Sequence, residues 1–464
     1  MKFLQKCIIV FCVIALHTTA FSQVRKFSEN NEEFFNQLDD FFSNSSRAKE
    51  LKKFHKDLKK YWNSGAIPSE EQKNIVETCN ILLSKHGRAY PHFYNYFTAI
   101  QLFFVKDHAM SSYHEWDKAL RYLITSKGMV TTDKFLMSSI RLLDNNELEA
   151  SSTATWRVAR LRSFAYSFNE QTKEVRITFP PTDLICQSAK NEFILYQAAG
   201  YYLPFENQWV GIRGKVSWER SGANSELVFA DLGNYVIDMR RNTYDADSVW
   251  FTNKTYFQEP LLGKLSERTV PVRDPESVSY PRFQSYQQFF EIPDMYPGIN
   301  YKGGLTMHGA RVIGSGTAEN PATLHFVRGD STLVFCKSES FIFNKDHVVG
   351  RNTEISIYVQ KDSIYHPGLL FRYDVATKQV SLIRNEDTEN LSRAPYSNSY
   401  HMISMDFPQL TWRIDELNMR MGGLEGTTVN KASFESANYF RASRYSEIGM
   451  YDRTHPLIAL TRLS

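Results

Sequence analysis

The residues that could do chemistry are carboxylates lying close to tryptophans between positions 209 and 250. Trp209, Trp218 and Trp250 could stack on sugar rings, and the nearby acidic residues are Glu219, Glu226, Asp231, Asp238, Asp245 and Asp247. Glycoside hydrolysis uses two carboxylates at a set separation in a cleft, and aromatic rings bind the faces of sugars. A carbohydrate-active enzyme is therefore one hypothesis. The alternative is that tryptophans on strands belong to a core.

Metal chemistry is not indicated by the spacing of the histidines. No His-x-x-x-His pair falls on a predicted helix and no His–Cys cluster occurs; His86 and His92, like His108 and His114, are six residues apart and would not share a helix face. Tyr244–Ser248 offers two carboxylates, but further calcium ligands are not evident, and a turn is the preferred interpretation. We therefore expect neither a metal nor a cofactor.

Nucleophilic catalysis is not indicated either. The Gly-x-Ser-x-Gly pattern occurs only in broken form around Gly314, and no strand–elbow–helix pattern follows it. A phosphate loop would need a following helix N-terminus, which the sequence does not predict. The neighbouring glycines permit tight corners and close approach of strands instead. We lean toward a protein that is not an enzyme.

A cluster of lysines could bind a partner electrostatically. One predicted amphipathic helix carries six lysines: Lys49, Lys52, Lys53, Lys56, Lys59 and Lys60. They could form a docking face for an acidic polymer or an anionic lipid. The alternative, which we prefer at this stage, is a solvated face opposite the apolar stripe. The net charge of the whole chain is +3, too small to indicate a nucleic-acid partner.

Residues 1–22 have the pattern of a signal peptide. Lys2 and Lys6 form a positive region, Cys7–Leu16 an apolar region, and small residues follow up to Ser22. The apolar region is too short for a stable membrane anchor, and no later apolar run approaches spanning length. We expect an exported protein in the periplasm, at the outer membrane or outside the cell, with no transmembrane segment after cleavage.

The predicted secondary structure that positions these residues divides the chain into a helical part and a β part. Residues 23–150 have helical periodicity and predict a bundle or an array of helical hairpins. The predicted helices cover about 29–43, 47–62, 69–85, 91–105, 111–125 and 132–143. Residues 147–154 are expected to be a linker.

Strand patterns follow the linker. A first β region covers 151–262, with a hairpin of 164–168 and 175–179 that Pro180 and Pro181 end. Residues 263–300 are expected to be a proline-rich connection, with one short helix near 283–290. A second β region covers 301–464. The fold class is therefore α+β, with helices before a large, mainly antiparallel β region built as a β-roll, sandwich or short solenoid.

Two features of the mature chain complete these expectations. Cys79, Cys186 and Cys336 have apolar neighbours and should be buried thiols, with one disulfide as the alternative. Apolar residues from Leu457 to Leu463 look like the beginning of an element, so we expect the chain to be a fragment of a longer reading frame, truncated within the second β region.

Several of these segments together resemble large secreted proteins of Bacteroidota. The resemblance is carried by the signal ending Ala20–Gln23, the helical N-terminal region, the segment Tyr301–Gly316 and Asp-Ser pairs before strands. The β segments are also similar to the jelly roll of lipopolysaccharide-transport proteins. The resemblance implies a helical region followed by a β-roll or solenoid, and it carries no catalytic residue.

Together these patterns favour an exported, non-catalytic protein of the envelope or cell surface. It would act as a scaffold or binding module for a protein or a glycan partner. Two alternatives stay open, a carbohydrate-active enzyme and a β-roll module that handles lipid or lipopolysaccharide.

Overall fold

The computed structural model describes residues 24–105, 110–160, 163–257, 259–384, 393–423 and 432–438. Within them, helices occupy the N-terminal part of the chain and strands the remainder. Every strand pairing whose register is described is antiparallel, for example Val334 opposite Ile357. The α+β prediction is confirmed. The expected signal peptide and the apolar residues 457–463 lie outside the described residues.

The six predicted helices are all present. Their bounds are α1 Asn31–Ser43, α2 Ala48–Trp62, α3 Ser69–Ser84, α4 Tyr94–Val105, α5 Met110–Ser126 and α6 Met129–Asn145. A single turn over Ala89–Phe93 leads directly into α4.

The first two helices pair through aromatic side chains. Asn30 caps α1, since its side-chain oxygen accepts hydrogen bonds from the backbone N–H groups of Glu32 and Glu33, each at 3.1 Å. The rings of Phe34 in α1 and Trp62 in α2 are 5.5 Å apart and fully buried. Aromatic pairs of this kind bury large apolar areas, so the periodicity seen in the sequence becomes the packing face of the pair.

Strands fill the rest of the described chain. Their bounds are β1 Glu147–Ala150, β2 Thr155–Val158, β3 Ala165–Asn169, β4 Glu174–Ser188, β5 Asn191–Leu203, β6 Gln208–Ser217, β7 Val228–Leu232, β8 Tyr235–Asp238, β9 Thr243–Asn253, β10 Leu261–Arg268, β11 Arg282–Ser285, β12 Phe290–Tyr296, β13 Ile299–His308, β14 Arg311–Ser315, β15 Ala322–Arg328, β16 Ser331–Ser338, β17 Ser340–Phe343, β18 His347–Val359, β19 Asp362–Asp374, β20 Gln379–Ile383, β21 Tyr396–Asn398, β22 Ile403–Asp406, β23 Gln409–Arg413, β24 Met419–Gly422 and β25 Ser433–Ser436.

The chain forms two compact units. Among the described residues, unit 1 comprises those from Val24 to Gly214 and Gly233–Tyr244, and unit 2 comprises Lys215–Leu232 and those from Asp245 to Asn438. The boundaries fall partly inside strands β6 and β9. Unit 1 therefore contains the helices together with the first strands. The sequence pattern had instead predicted a boundary between helices and strands near residue 150.

In unit 1 the helices pack on the first β hairpins. β4 pairs with β2, β3 and β5, so that it lies at the centre of this part of the sheet. α5 contacts β3 directly, because the backbone N–H of Phe168 donates a hydrogen bond of 3.1 Å to Glu115. The ring of Phe103 in α4 lies 6.0 Å from that of Tyr166 in β3. Helices and strands thus share one apolar core.

In unit 2 the strands form an antiparallel sheet in which several neighbouring strands are not consecutive in the sequence. β13 is central to its first part, since it pairs with β11, β12, β14 and β15. A second series runs through β16, β18, β19, β20 and β23. Alternate residues of these strands are buried, as a sheet with one covered face requires.

Two boundary predictions in unit 1 are wrong. Residues 147–154 were expected to be a linker, but Glu147–Ala150 forms β1 and pairs with β2. Pro180 and Pro181 do not end a strand, because β4 continues through them to Ser188. The register shifts between Phe179 and Thr182, and such a bulge accommodates residues that lack an N–H for the ladder.

The expectation for residues 263–300 is also wrong. Instead of a connection with a short helix at 283–290, the segment contains β11 and β12, and parts of β10 and β13. Pro281 directly precedes β11, and Pro293 lies where the β12–β13 register shifts. Prolines in these positions cost no ladder hydrogen bond, so they do not exclude strands.

The prediction that the cysteines are buried thiols is confirmed, and the alternative of a disulfide is not. Cys79, Cys186 and Cys336 are free and buried. Burial raises the pKa of the Cys79 and Cys336 thiols well above the ordinary value, because a thiolate is poorly solvated there. These residues are small apolar parts of the core.

Candidate ligand-binding cleft

The structure separates the three tryptophans that sequence reasoning grouped together. Trp209 and Trp218 are fully buried, so neither can stack on a ligand, contrary to the sequence-based hypothesis. The Trp209 ring packs 5.6 Å from Phe179, and the Trp218 ring 4.9 Å from Phe251. Trp250 is 53% exposed and remains available to a ligand.

The carboxylates near these tryptophans are also divided. Asp238 belongs to unit 1, where Arg240 donates to it at 2.8 Å; this hydrogen bond lowers the pKa of the carboxyl. Asp245 and Asp247 belong to unit 2. Asp245 accepts a hydrogen bond of 2.5 Å from Ser266. The group proposed for glycosidic chemistry therefore does not form a single cluster within one unit.

The segment Tyr244–Ser248 is part of a strand. It lies inside β9, and neither the turn nor the calcium loop considered from the sequence is present. Tyr244 and Ala246 are buried alternately with exposed Asp245 and Asp247, so the two carboxylates lie on the exposed face of an extended strand.

A polar cavity of about 450 Å³ opens on the surface of unit 2. We call it the amide cleft and define it by its lining residues: Lys264, Gln284, Ser285, Tyr286, Gln287, Gln288, Phe289, Gly304, Ser315, Gly316 and Thr317. Its size lies in the range of small-molecule sites. The lining combines three glutamines, four hydroxyl-bearing residues and one ammonium, so hydrogen-bond donors and acceptors are both present.

Four neighbouring strands position the cleft. Lys264 of β10 lies opposite Gln284 of β11, and Gly304 of β13 lies opposite Ser315 of β14. β11 and β13 are themselves paired. A Cβ at Gly304 would approach Ser315 Oγ to 2.8 Å and the carbonyl oxygen of Gln288 to 3.3 Å, so glycine keeps this wall of the cleft open.

The segment between β11 and β12 supplies four of the eleven lining residues, and Ser285 precedes it at the end of β11. Ser285 Oγ donates to the carbonyl of Gln287 at 2.9 Å and accepts from the backbone N–H of Leu305 at 3.1 Å. Gln287 Nε2 donates to the carbonyl of Phe289 at 3.1 Å. These bonds hold the backbone, while Gln288 and Phe289 stay exposed. The cleft is therefore largely preorganised, which reduces the entropic cost of binding.

Tyr286 is the most firmly held ring of the cleft. Its hydroxyl donates to Asp247 Oδ1 at 3.2 Å and accepts from the backbone N–H of Ser248 at 3.0 Å. Asp247 also lies 3.5 Å from the ammonium of Lys264. The ring is nevertheless 42% exposed, and Phe289 is 37% exposed. Tyr286, held by these hydrogen bonds, and Phe289 thus present accessible ring surface beside the glutamines.

A bulge in β9 adds a further ring to the same surface. Ser248 has φ of +57°, a left-handed conformation that interrupts the alternation of the strand. Asp247 is exposed, Val249 is buried and Trp250 is exposed again. Trp250 therefore lies on the same face as Asp247, about 10 Å further along the strand. Sequence reasoning found this tryptophan but not the cleft beside it.

A buried carboxylate of β10 faces away from the cleft. Glu267 is 2% exposed and forms an ion pair with Arg220, whereas Lys264 on the same strand is exposed. Burial raises the pKa of Glu267 to about 7, although Arg220 acts in the opposite direction. Glu267 belongs to the core of unit 2.

In unit 1 the six lysines of α2 form what we call the lysine strip: Lys49, Lys52, Lys53, Lys56, Lys59 and Lys60. All are exposed except Lys59, which is half-buried with its ammonium 5.8 Å from the ring centroid of Phe35. Leu51, Leu58 and Trp62 are buried on the opposite side of the helix. At 3.6 residues per turn the lysines occupy about 120° of the circumference. They therefore lie together on one side of α2.

The helices of unit 1 also contain a buried polar cluster. Asp117 of α5 accepts a hydrogen bond of 3.0 Å from Thr78 of α3 and one of 2.7 Å from Arg121. Arg121 further pairs with Glu77 at 3.2 Å. Burial raises the pKa of Asp117, and Arg121 partly offsets this. The groups satisfy one another, so the cluster joins α3 to α5.

The described residues contain neither a cluster of metal ligands nor a membrane-spanning helix. Nowhere in this part of the chain do three or more His, Cys, Asp or Glu side chains come together as metal ligands. No described helix combines the length and the apolar character needed to cross a membrane.

Comparison of the chain with protein-family models, curated proteins and solved structures found no match. The amide cleft and the lysine strip are therefore the features of this chain that indicate a function.

Proposed function

We propose that this chain is an exported, non-catalytic protein of the envelope or cell surface, and that its amide cleft binds a glycan. The observation that carries the proposal is the arrangement of Tyr286 and Phe289, two exposed rings, beside three glutamines on a strand scaffold. The signal-like pattern of residues 1–22 supports export.

The lining chemistry suits sugars. A sugar presents hydroxyls that both donate and accept hydrogen bonds, and primary amides such as those of Gln284, Gln287 and Gln288 do the same. Its ring also has faces of C–H groups, which pack on aromatic surfaces. Trp250, on the same face of β9, could extend this contact beyond the cleft. A glycan is therefore the partner that the cleft supports best among those considered.

The lining favours binding over hydrolysis. Glycoside hydrolysis requires two carboxyl groups across the scissile bond. The described lining contains one cation, Lys264, together with neutral groups. The neighbouring carboxylate of Asp247 contacts Tyr286 and Lys264, and so acts in positioning the ring.

The proposal is tested by isothermal calorimetry of the full chain with neutral cello-, manno- and xylo-oligosaccharides. We expect one class to bind, and we expect Tyr286→Ala with Gln287→Ala to abolish that binding while the far-ultraviolet circular dichroism is unchanged. Failure of all three classes to bind, or binding that the double variant retains, would contradict the proposal. Release of new reducing ends would favour the enzyme alternative, and co-purified lipid the lipid-handling one.

A further inference from the structure

The lysine strip of unit 1 is not explained by the proposed glycan cleft of unit 2. Lysines three or four residues apart on a helix repel each other. Lys56 alone has four such neighbours: Lys52, Lys53, Lys59 and Lys60. No ion pair relieves this repulsion, since none of the six lysines lies within salt-bridge distance of an acidic group among the described residues. Opposite charges at these spacings would instead stabilise the helix.

A notch lined by aromatic rings lies at the edge of the strip. It has a volume of about 350 Å³ and is lined by Arg47, Glu50, Leu51, Lys53, Phe54, Asp57, Tyr90 and Tyr94. The Phe54 and Tyr94 ring centroids are 4.7 Å apart, and the Tyr90 and Tyr94 centroids 5.5 Å apart. All three rings are partly exposed. Lys53 belongs to both the strip and the notch.

The charges of the notch indicate what it accepts. The guanidinium of Arg47 lies 4.0 Å from the centre of the Tyr90 ring and 3.6 Å from Glu50. Asp57 adds a second carboxylate to the lining. Carboxylates accept hydrogen bonds from sugar hydroxyls but repel phosphate or sulfate, so a neutral part of a sugar ring fits the notch better than an anionic group.

From these observations we propose that the lysine strip and the notch together bind an acidic polysaccharide. Its carboxylates lie along the lysines, and one sugar ring lies against Tyr90 and Tyr94. An anionic membrane fits less well, because the apolar side of α2 is already buried by Leu51, Leu58 and Trp62. The strip offers charge without an apolar surface that could enter lipid.

The lysine spacing agrees with a linear polymer. Lys49, Lys53, Lys56 and Lys60 follow one line along α2, and the first and last are separated by about 16 Å of helix axis. A polyuronate also repeats one carboxylate per sugar along a line. Several ion pairs can therefore form at once, and their individually small contributions add through multivalency.

The test is binding of the full chain to polygalacturonate at low ionic strength, measured by affinity electrophoresis. We expect Lys53→Gln with Lys56→Gln to weaken binding at least tenfold. The matched control, Lys254→Gln with Lys361→Gln, removes the same charge from exposed lysines of unit 2 and should change binding less than twofold. Equal loss in both double variants would mean that only net charge matters, and would overturn the proposal.

The notch is tested separately with Tyr94→Ala and two other probes. This variant should weaken binding of polygalacturonate about fivefold and leave binding of polyglutamate, which has charge but no sugar rings, unchanged. Equal effects on the two polymers would overturn the role of the notch. Binding to phosphatidylglycerol vesicles without binding to polygalacturonate would replace the proposal by a membrane contact. None of these outcomes depends on the amide cleft, because Tyr286→Ala leaves the strip intact.

Discussion

The lysine strip and the amide cleft represent two ways of building a binding surface. In the strip, one helix of fifteen residues places all the groups, so their spacing in the sequence is their spacing in space. In the cleft, Lys264, Ser285, Gly304 and Ser315 come from four strands and meet only through the register of the sheet. The strip offers unpaired charge to solvent, whereas the cleft offers neutral groups held by hydrogen bonds. The two surfaces should therefore respond differently to salt, to loss of a ring and to reversal of a charge.

The largest expected difference is in the response to salt. Raising sodium chloride from 50 to 500 mM should weaken polygalacturonate binding by roughly a hundredfold, because ions screen exposed charges and binding releases counterions. Binding of a neutral oligosaccharide to the cleft should change by less than about twofold. Calorimetry of both ligands with the same protein sample measures this. Equal salt dependence would remove the distinction between the two surfaces.

An effect of intermediate size is expected from Tyr286. Tyr286→Ala should weaken neutral-oligosaccharide binding about tenfold, since the loss of one stacked ring costs about 1.4 kcal/mol. Tyr286→Phe keeps the ring but removes its bonds with Asp247 and Ser248, and should cost about threefold. Polygalacturonate binding should be unchanged in both, as calorimetry can show. If the Phe variant were as weak as the Ala variant, the hydroxyl and not the ring would be the important group.

The smallest expected effect concerns stability. Lys56→Glu turns four repulsive pairs on α2 into attractive ones, and should stabilise unit 1 by about 1 kcal/mol. Thermal unfolding followed by circular dichroism should show a Tm increase of a few degrees, while polygalacturonate binding decreases. Lys361→Glu, an exposed change outside α2, serves as the control and should leave both properties nearly unchanged. A destabilised Lys56→Glu variant would show that the lysines are part of the packing of the helix.

The same contrast explains what could be predicted from the sequence. The helices and the candidate residues of the strip follow from local periodicity, and the six helices are found within a few residues of their predicted bounds. The cleft could not be predicted, because the pairing of β10, β11, β13 and β14 depends on long-range register. The signal that could have suggested it was the run Tyr286–Phe289, two rings around two glutamines, but the nearby prolines led to the prediction of a connection with a short helix at 283–290.

The tryptophans are a second case in which the sequence could not predict which side chains are exposed. Trp209, Trp218 and Trp250 have similar neighbours in the sequence, and a strand residue is buried or exposed according to which face of the sheet is covered. Only the tertiary packing decides this, so the sequence could not separate two core rings from one exposed ring. The prolines of 263–300 led to a wrong prediction for the same reason. Two of them lie at a strand end and at a register shift, where proline is compatible with a strand.

The bulge at Ser248 has a consequence for how this surface could change in evolution. Because side chains alternate along a strand, losing the bulge while keeping Ser248 in the strand would exchange Val249 and Trp250 between the interior and the solvent. The valine would then be exposed and the indole would have to fit a space shaped for a smaller side chain. Deleting Ser248 would instead leave Val249 buried and Trp250 exposed, because the extra residue and the bulge disappear together. Exposure of this ring to a partner therefore depends on the left-handed backbone conformation of Ser248, so a substitution that disfavours this conformation would be the shortest route to losing the ring.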